Sequence, residues 1–128
     1  MGGDKDPEGR IGSGWAACVA CGDTVVFKIS PGYNTHKQVL VARVCRVRRY
    51  ATFRAMVRAE GGAKLLPGLR TDAAVVKEYL AMRTQFGGCN YTYGQLEREY
   101  GAVSLRLGQM QLGPRTAVLP AGRRLHNA

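Results

Sequence analysis

Two segments rich in valine, joined by a turn sequence, constrain the fold of this chain more than any other feature. The first covers residues 23–30 and the second covers residues 38–47. Both are rich in β-branched or aromatic residues, which favour strands. Between them, Ser30-Pro31-Gly32-Tyr33-Asn34 has the proline and glycine typical of turns. The sequence therefore predicts an antiparallel hairpin.

After residue 50 the apolar residues change to helical spacing. Phe53, Met56 and Val57 repeat at the spacing of one helical face, and Glu60 takes the next position on that face. The two glycines that follow predict the end of the helix. A buried carboxylate needs a partner or a proton. Glu60 therefore either reaches a neighbouring site from the helix end or turns outward to water.

The middle of the chain predicts further helices and a closing strand. Thr71 or Asp72 can cap a helix that runs to about Arg83. Residues 94–100 predict a short helix, after a loop at residues 86–91. Residues 102–107 alternate apolar and polar side chains, as a half-buried strand does. This mixture of elements predicts an α+β fold.

Periodicity is lost from Gly108 onward, where prolines and glycines interrupt a basic segment. We interpret residues 1–107 as one domain and residues 108–128 as a flexible basic tail that adds nonspecific affinity for nucleic acid. The chain has 128 residues, which is enough for one modest core.

The net charge of the chain favours an acidic partner. Nineteen Lys and Arg residues face nine Asp and Glu residues, for a net charge of +10. Nucleic acid is the usual partner of such a chain, and a merely basic surface is the alternative. No apolar run reaches the ~20 residues of a membrane span, and no signal peptide is visible. We expect a soluble, intracellular protein, cytoplasmic or nuclear.

Four arginines lie at the far end of the second predicted strand. Two interpretations stand equally: a solvated exterior of a barrel, or a contact to phosphate groups. The four residues are Arg43, Arg46, Arg48 and Arg49.

Cysteines give a weak metal signal. Cys18 and Cys21 form a C-x-x-C pair, but zinc needs two more ligands at comparable spacing. Cys45 and Cys89 stand alone in the sequence. We predict neither a metal nor a cofactor.

The N-terminal segment carries the best candidate for a polar site. Lys5, Glu8 and Arg10 lie close together in sequence. In an extended strand, side chains two residues apart share a face, so Glu8 and Arg10 are expected to point the same way.

Taken in order, these pieces resemble the ASCH domain family. The resemblance covers residues 5–107. It implies a small PUA-like β-barrel with helices packed over its ends and a cleft lined by residues 5–10. The elements that carry it are Lys5-x-x-Glu8-Gly9-Arg10, Gly22-Asp23 before a strand, Tyr50-x-x-Phe53, Glu60-Gly61, Leu66-Pro67-Gly68, Tyr79 in a helix and Tyr100-Gly101.

ASCH domains are generally regarded as RNA-binding or RNA-associated, so the resemblance implies RNA or a nucleotide-like ligand as partner. On this interpretation Lys5, Glu8, Arg10 and Glu60 form a charge network that recognises a base edge or a phosphate. A purely structural role for these charges is a further alternative.

The resemblance also leaves a hydrolase open, since a few members act on acetylated cytidine nucleosides or are reported as ribonucleases. In the amidohydrolase type the catalytic group is a Lys, a Thr three residues later and a Glu. The matching positions here are Lys5, Glu8 and Glu60. Glu8 is not a hydroxyl nucleophile, so this set could only orient a water, with a carboxylate as base and Lys5 stabilising the oxyanion. We favour binding.

The chain also departs from the family at its start. Family members begin with a strand and a helix before this segment, whereas four residues precede Lys5 here. We expect either a shortened chain or another segment in that place. An unfilled gap would expose a strand edge and predicts poor stability.

Overall fold

The computed structural model describes residues 7–28, 38–114 and 124–128. Within these ranges the strands are β1 (Glu8–Ile11), β2 (Thr24–Lys28), β3 (Gln38–Tyr50), β4 (Arg83–Phe86), β5 (Cys89–Thr92), β6 (Ala102–Pro114) and β7 (Leu125–Asn127). The helices are α1 (Trp15–Cys18), α2 (Phe53–Glu60), α3 (Gly62–Leu65), α4 (Asp72–Ala81) and α5 (Tyr93–Tyr100).

Five strands form a curled half-barrel sheet in the order β1-β6-β3-β2-β7. Strands β3 and β6 are 13 residues long each and pair antiparallel along their length. Their register shifts between Val41 and Arg43 and again between Val44 and Arg46. Such bulges bend a strand and increase its twist, which curls the sheet. The predicted α+β class is confirmed, as is the antiparallel pairing of β2 with β3.

The two faces of this sheet carry two cores. On one face, Val44, Val103 and Leu105 pack with apolar residues of α1 and β2. On the other face, the apolar side of α2 packs against the sheet and against α4 and α5. There the Phe53 ring stacks on Tyr79, with ring centroids 5.2 Å apart, and on Tyr93, with centroids 5.5 Å apart. The helical stripe predicted for α2 is therefore the buried face of that helix.

Side-chain caps fix where three helices begin. Thr52, Thr71 and Thr92 each accept a hydrogen bond from the main-chain N–H three residues later, at the starts of α2, α4 and α5. This satisfies an N–H group that the first helical turn leaves unpaired. The cap predicted at Thr71 is confirmed, and α4 ends at Ala81, two residues before the predicted end.

The predicted C-terminal tail is wrong for most of its described residues. Residues 108–114 continue β6 and pair with β3, while Leu125–Asn127 form β7, parallel to β2. Glycines and a proline are unusual inside strands, so the sequence did not predict this part of β6. Its backbone still pairs with the long β3. The domain boundary predicted after residue 107 therefore falls inside a strand. Residues 115–123 lie outside the described residues.

The predicted loop at residues 86–91 is also corrected. Strands β4 and β5 form a hairpin in this part of the chain. Its two turn residues, Gly87 and Gly88, have φ angles of 61° and 84°. A two-residue hairpin turn with positive φ at both positions strongly favours glycine. The Gly-Gly pair was the sequence signal for this hairpin.

In the part of the chain that the structure describes, no helix combines the length and apolar character that crossing a membrane requires.

Replacing Gly9 with alanine tests the packing of β1 against the helices. A Cβ atom at this position would lie 2.6 Å from both the Met56 Cε and the Tyr79 Oη atoms. We expect Gly9→Ala to lower the free energy of unfolding by about 1–3 kcal/mol, as overpacking does. Urea denaturation measures it, with Lys77→Ala on the exposed face of α4 as the control. Equal stability of Gly9→Ala and the parent would contradict this packing.

Candidate functional site

A charged pair lies on the edge strand β1. Glu8 is in register with Leu105 and Arg10 with Val103, so both side chains leave the same face, as predicted. The Arg10 Nε–H donates a hydrogen bond of 2.9 Å to Glu8 Oε2. The Arg10 and Glu8 side chains keep 34% and 30% of their surface exposed. The pair is therefore fixed in place yet still open to a ligand.

Two aromatic rings hold the guanidinium of Arg10. Its Cζ atom lies 5.8 Å from the centroid of the Trp15 ring and 5.5 Å from that of Phe27. A cation within about 6 Å of a ring centroid is attracted by the ring quadrupole. Glu8 takes the Nε–H, so within the described residues the two Nη groups are the donors left for a ligand.

A cleft runs along the outer edge of β1, and we call it the β1 cleft. It consists of two adjoining cavities of about 330 and 300 Å³, and both are lined by Arg10 and Tyr93. These volumes lie at the lower end of the range for small-molecule sites. The first cavity is also lined by Glu8, Gly9, Leu65, Leu66, Tyr79 and Met82. The second includes Trp15, Gln85 and Phe86.

Tyr79 supplies a neutral hydroxyl to the β1 cleft. Burial raises the pKa of Tyr79 to about 12, and the negative charge of Glu8 adds to this, while a hydrogen bond with the main chain of Gly9 acts against it. The phenol therefore keeps its proton at neutral pH. It can serve the cleft as a hydrogen-bonding group and not as a base.

Glu60 is buried in a closed set of partners. Arg46 Nη2 donates to Glu60 Oε1 at 2.8 Å, and the Tyr50 hydroxyl donates to Oε2 at 2.5 Å. Arg48 Nη1 lies 3.8 Å from Oε2. The sequence left open whether Glu60 reaches a neighbouring site or turns outward to water. The side chain does not turn outward, since it is 2% exposed.

Glu60 also affects the proton of Tyr50, because its carboxylate accepts the hydrogen bond of the Tyr50 hydroxyl. Burial raises the pKa of Tyr50, and the hydrogen bond to the Glu60 carboxylate and the charge of that carboxylate raise it further. The proton therefore stays on Tyr50. Both oxygens of Glu60 are engaged, one by Arg46 and one by Tyr50, so Glu60 is a poorly available base.

Sheet register separates Glu8 from Glu60. Glu8 of β1 is in register with Leu105 of β6. Arg48 of β3, a partner of Glu60, is in register with the adjacent residue of β6, Ser104, which also pairs with Gly9. Adjacent residues of a strand face opposite sides of the sheet. The structure therefore does not join Glu8 and Glu60 into one catalytic group, and Lys5 lies outside the described residues.

The predicted arginines of β3 have structural partners. Arg46 and Arg48 face Glu60. Arg49 donates to the main-chain oxygens of Ala16 at 2.8 Å and Val19 at 3.0 Å, and so holds α1 to the sheet. Arg43 is half-buried and is not free. Among these four, Arg48 has a side chain that is 53% exposed, and its contacts within the described residues are the 3.8 Å approach to Glu60 and a hydrogen bond with Tyr50.

A buried hydrogen-bonded pair near the C-terminus, Asp23 and His126, was missed from the sequence. The Asp23 carboxylate is 1% exposed. Its Oδ2 atom lies 2.9 Å from His126 Nε2, accepts a 2.9 Å hydrogen bond from the main-chain N–H of Ala20, and lies 3.5 Å from Arg124 Nη2. His126 was placed in the predicted tail, and no local pattern in the sequence marks it. The pair fastens β7 to the start of β2.

The partners of Asp23 set its pKa. Burial alone would raise that pKa, but the hydrogen bonds from His126 and Ala20 and the charge of Arg124 outweigh burial and hold the pKa of Asp23 below its ordinary value.

In the part of the chain that is described, no group of three or more His, Cys, Asp or Glu residues is arranged to hold a metal ion. Cys18, Cys21, Cys45 and Cys89 are exposed, and none of the four forms a disulfide bond. The Cys21 thiol lies 3.1 Å from the main-chain oxygen of Cys45, and that of Cys18 lies 3.6 Å from the oxygen of Trp15. The C-x-x-C thiols therefore have separate contacts.

Comparison with known proteins identifies the fold and no function. No protein-family model and no curated protein matches the chain. The crystal structure of the hypothetical protein PH0355 is similar, with 25% identity, 81% of each chain covered and a TM-score of 0.60. The solution NMR structure of protein PF0455 from Pyrococcus furiosus is 24% identical, covers 81% of this chain and 80% of its own, and has a TM-score of 0.57.

The Asp23 pair predicts a pH dependence. A carboxyl whose pKa is lowered on folding stabilises the fold above its ordinary pKa of 3.8, and this contribution is lost as the pH falls through the lower folded value. We expect Asp23→Asn to be less stable than the parent at about pH 7, by about 1–3 kcal/mol, because buried donors lose a charged acceptor. The difference should shrink below about pH 4.

Urea denaturation at pH 7 and at pH 3 measures both values, with the exposed Glu78→Gln as the control. A difference between Asp23→Asn and the parent that stays constant over this range would contradict a lowered pKa.

Proposed function

We propose that this chain is an RNA-binding or RNA-associated domain of the ASCH type, with a PUA-like barrel, and that it recognises RNA or a nucleotide-like ligand in the β1 cleft. The net charge of +10 favours a polyanionic partner. The order of the sequence elements supports the family. A curled five-strand sheet with helices packed against its faces fits a barrel of this type. The four cysteines, none of which forms a disulfide bond, fit a reducing compartment, cytoplasmic or nuclear.

The observation that carries this proposal is the state of Arg10. Its guanidinium lies at the junction of the two cavities of the β1 cleft, with its orientation set by Glu8 and by two aromatic rings. The remaining Nη donors present a planar pair of N–H groups. Such a fork matches two neighbouring acceptors, as on a guanine edge or a phosphate. Because the arginine is held beforehand, little side-chain entropy is lost on binding.

A hydrolase is the weaker proposal. Both oxygens of Glu60 are engaged, Tyr79 keeps its proton, and Glu8 is paired with Arg10. Among the described residues that line the β1 cleft, the carboxylate that could act as a general base is Glu8, and only after it leaves Arg10. We therefore assign Glu8 and Arg10 to recognition.

Replacing Arg10 tests the recognition role. We expect Arg10→Ala to weaken binding of single-stranded RNA by roughly tenfold or more at constant salt, because a preorganised pair of donors is worth about 1–3 kcal/mol. The control is Arg58→Ala, which removes the same charge from the exposed face of α2, away from the β1 cleft. Fluorescence anisotropy at two salt concentrations gives both the affinity and its salt dependence.

Circular dichroism first establishes that both variants are folded. Arg58→Ala should weaken binding only slightly, through the loss of about one counterion contact. Equal affinities of Arg10→Ala and Arg58→Ala would reduce the binding to surface charge and contradict recognition in the β1 cleft.

A further inference from the structure

A second basic site lies on the sheet face that α2 covers. Arg46 of β3 is directly opposite Arg106 of β6, and Arg48 follows on the same face, opposite Ser104. Like charges directly opposite each other on neighbouring strands destabilise a sheet. Two opposed guanidinium groups therefore call for negative charge close by.

The described residues supply only part of that charge. Glu60 pairs with Arg46 at 2.8 Å and lies 3.8 Å from Arg48. Among the described side chains, Arg106 has no carboxylate within ion-pair distance. Within the described residues, one carboxylate thus serves two guanidinium groups and Arg106 has none, so positive charge is left in excess on this face.

Buried polar atoms without a hydrogen-bond partner lie on the same face of the sheet. Arg46 Nε, Arg106 Nε and Ser104 Oγ are buried and have no hydrogen-bond partner within the described part of the chain. Ser104 is 0% exposed. A buried polar group without a partner is costly, and native structures contain few of them. Three of them beside an excess of positive charge indicate a missing acceptor that carries negative charge.

We propose that Arg46, Arg48 and Arg106, with the hydroxyl of Ser104, bind a phosphate group. Phosphate oxygens accept several hydrogen bonds at once, and arginine binds them in the two-point geometry that a guanidinium provides. Of the three arginines, Arg48 is the one whose side chain moves to let the ligand enter. Its side chain is 53% exposed and lies at 3.8 Å from Glu60, so it can turn toward a ligand without breaking a short ion pair, and it gives up only its hydrogen bond with Tyr50 among its described contacts.

This site does not depend on recognition in the β1 cleft, because it includes none of the residues that line the cleft. The phosphate can belong to an RNA backbone or be a free anion. Glu60 then has a positioning role, since it holds Arg46 in place beside Arg106.

Thermal unfolding in phosphate and in chloride, at matched ionic strength and pH, tests the site. We expect phosphate to raise the Tm of the parent by about 3 °C or more, because a ligand of the folded state stabilises it. Arg106→Gln should lose most of this rise. Arg58→Gln on α2 should keep it. In chloride, Arg106→Gln should be at least as stable as the parent, because the substitution removes a like-charge contact.

A parent without a phosphate-specific rise, or an Arg106→Gln protein that keeps the full rise, would overturn the proposal. Ser104→Ala gives a second test that leaves the charge unchanged, and it should reduce the rise. RNA affinities identify the source of the phosphate when the rise is present: a loss with Arg106→Gln assigns it to the RNA backbone, and no loss assigns it to a free anion. If the protein binds no RNA at all, the phosphate-induced rise in Tm should still be present. That outcome would contradict RNA recognition in the β1 cleft and not the phosphate site.

Discussion

The antiparallel ladder between β3 and β6 is the constraint on which the rest of the structure depends. Each strand contributes 13 residues, and their register decides which side chains face α1 and which face α2. Val103 and Leu105 belong to one core, while Ala102 belongs to the other. The two register shifts between β3 and β6 curl the sheet: the first places an extra residue in β6, and the second places one in β3 immediately before Arg46. The strand alternation that separates the two cores also separates Glu8 from Glu60.

Features that depend on neighbouring residues were predictable from the sequence. These include the antiparallel pairing of β2 with β3, the buried stripe of α2 and the common direction of Glu8 and Arg10, since each follows from a local pattern. The turn predicted at residues 30–34 lies outside the described residues. Features that depend on distant partners were not. The end of β6 is a strand because β3 pairs with it, and the bond between Asp23 and His126 joins residues 103 positions apart. The sequence placed Glu60 on the apolar side of α2 but left open whether its side chain turns outward to water, and its partners depend on the bulged register of β3.

The basic character of the chain is therefore not a uniform surface property. Arg49 fastens α1, Arg46 neutralises Glu60, and Arg10 is held by Glu8 and aromatic rings at the β1 cleft. Arginine suits these tasks because its planar group keeps one edge for a structural contact and another for a ligand. On our account the sheet carries two places for an anionic ligand: the β1 cleft at its edge, and the arginine cluster on the face beside α2. The similar folds of PH0355 and PF0455 carry no named function, so the chemistry of these two places carries the argument.

The most direct test of recognition in the β1 cleft uses Trp15, the single tryptophan of the sequence, whose ring lies 5.8 Å from the Arg10 guanidinium. Its emission can be followed while single-stranded RNA is added, with anisotropy of the labelled RNA recorded on the same samples. Our account predicts a saturable change in Trp15 emission at the RNA concentrations that produce the anisotropy change, since bases that enter the cleft alter the surroundings of the indole. RNA binding without any change in Trp15 emission would contradict it and move the binding site elsewhere on the molecule.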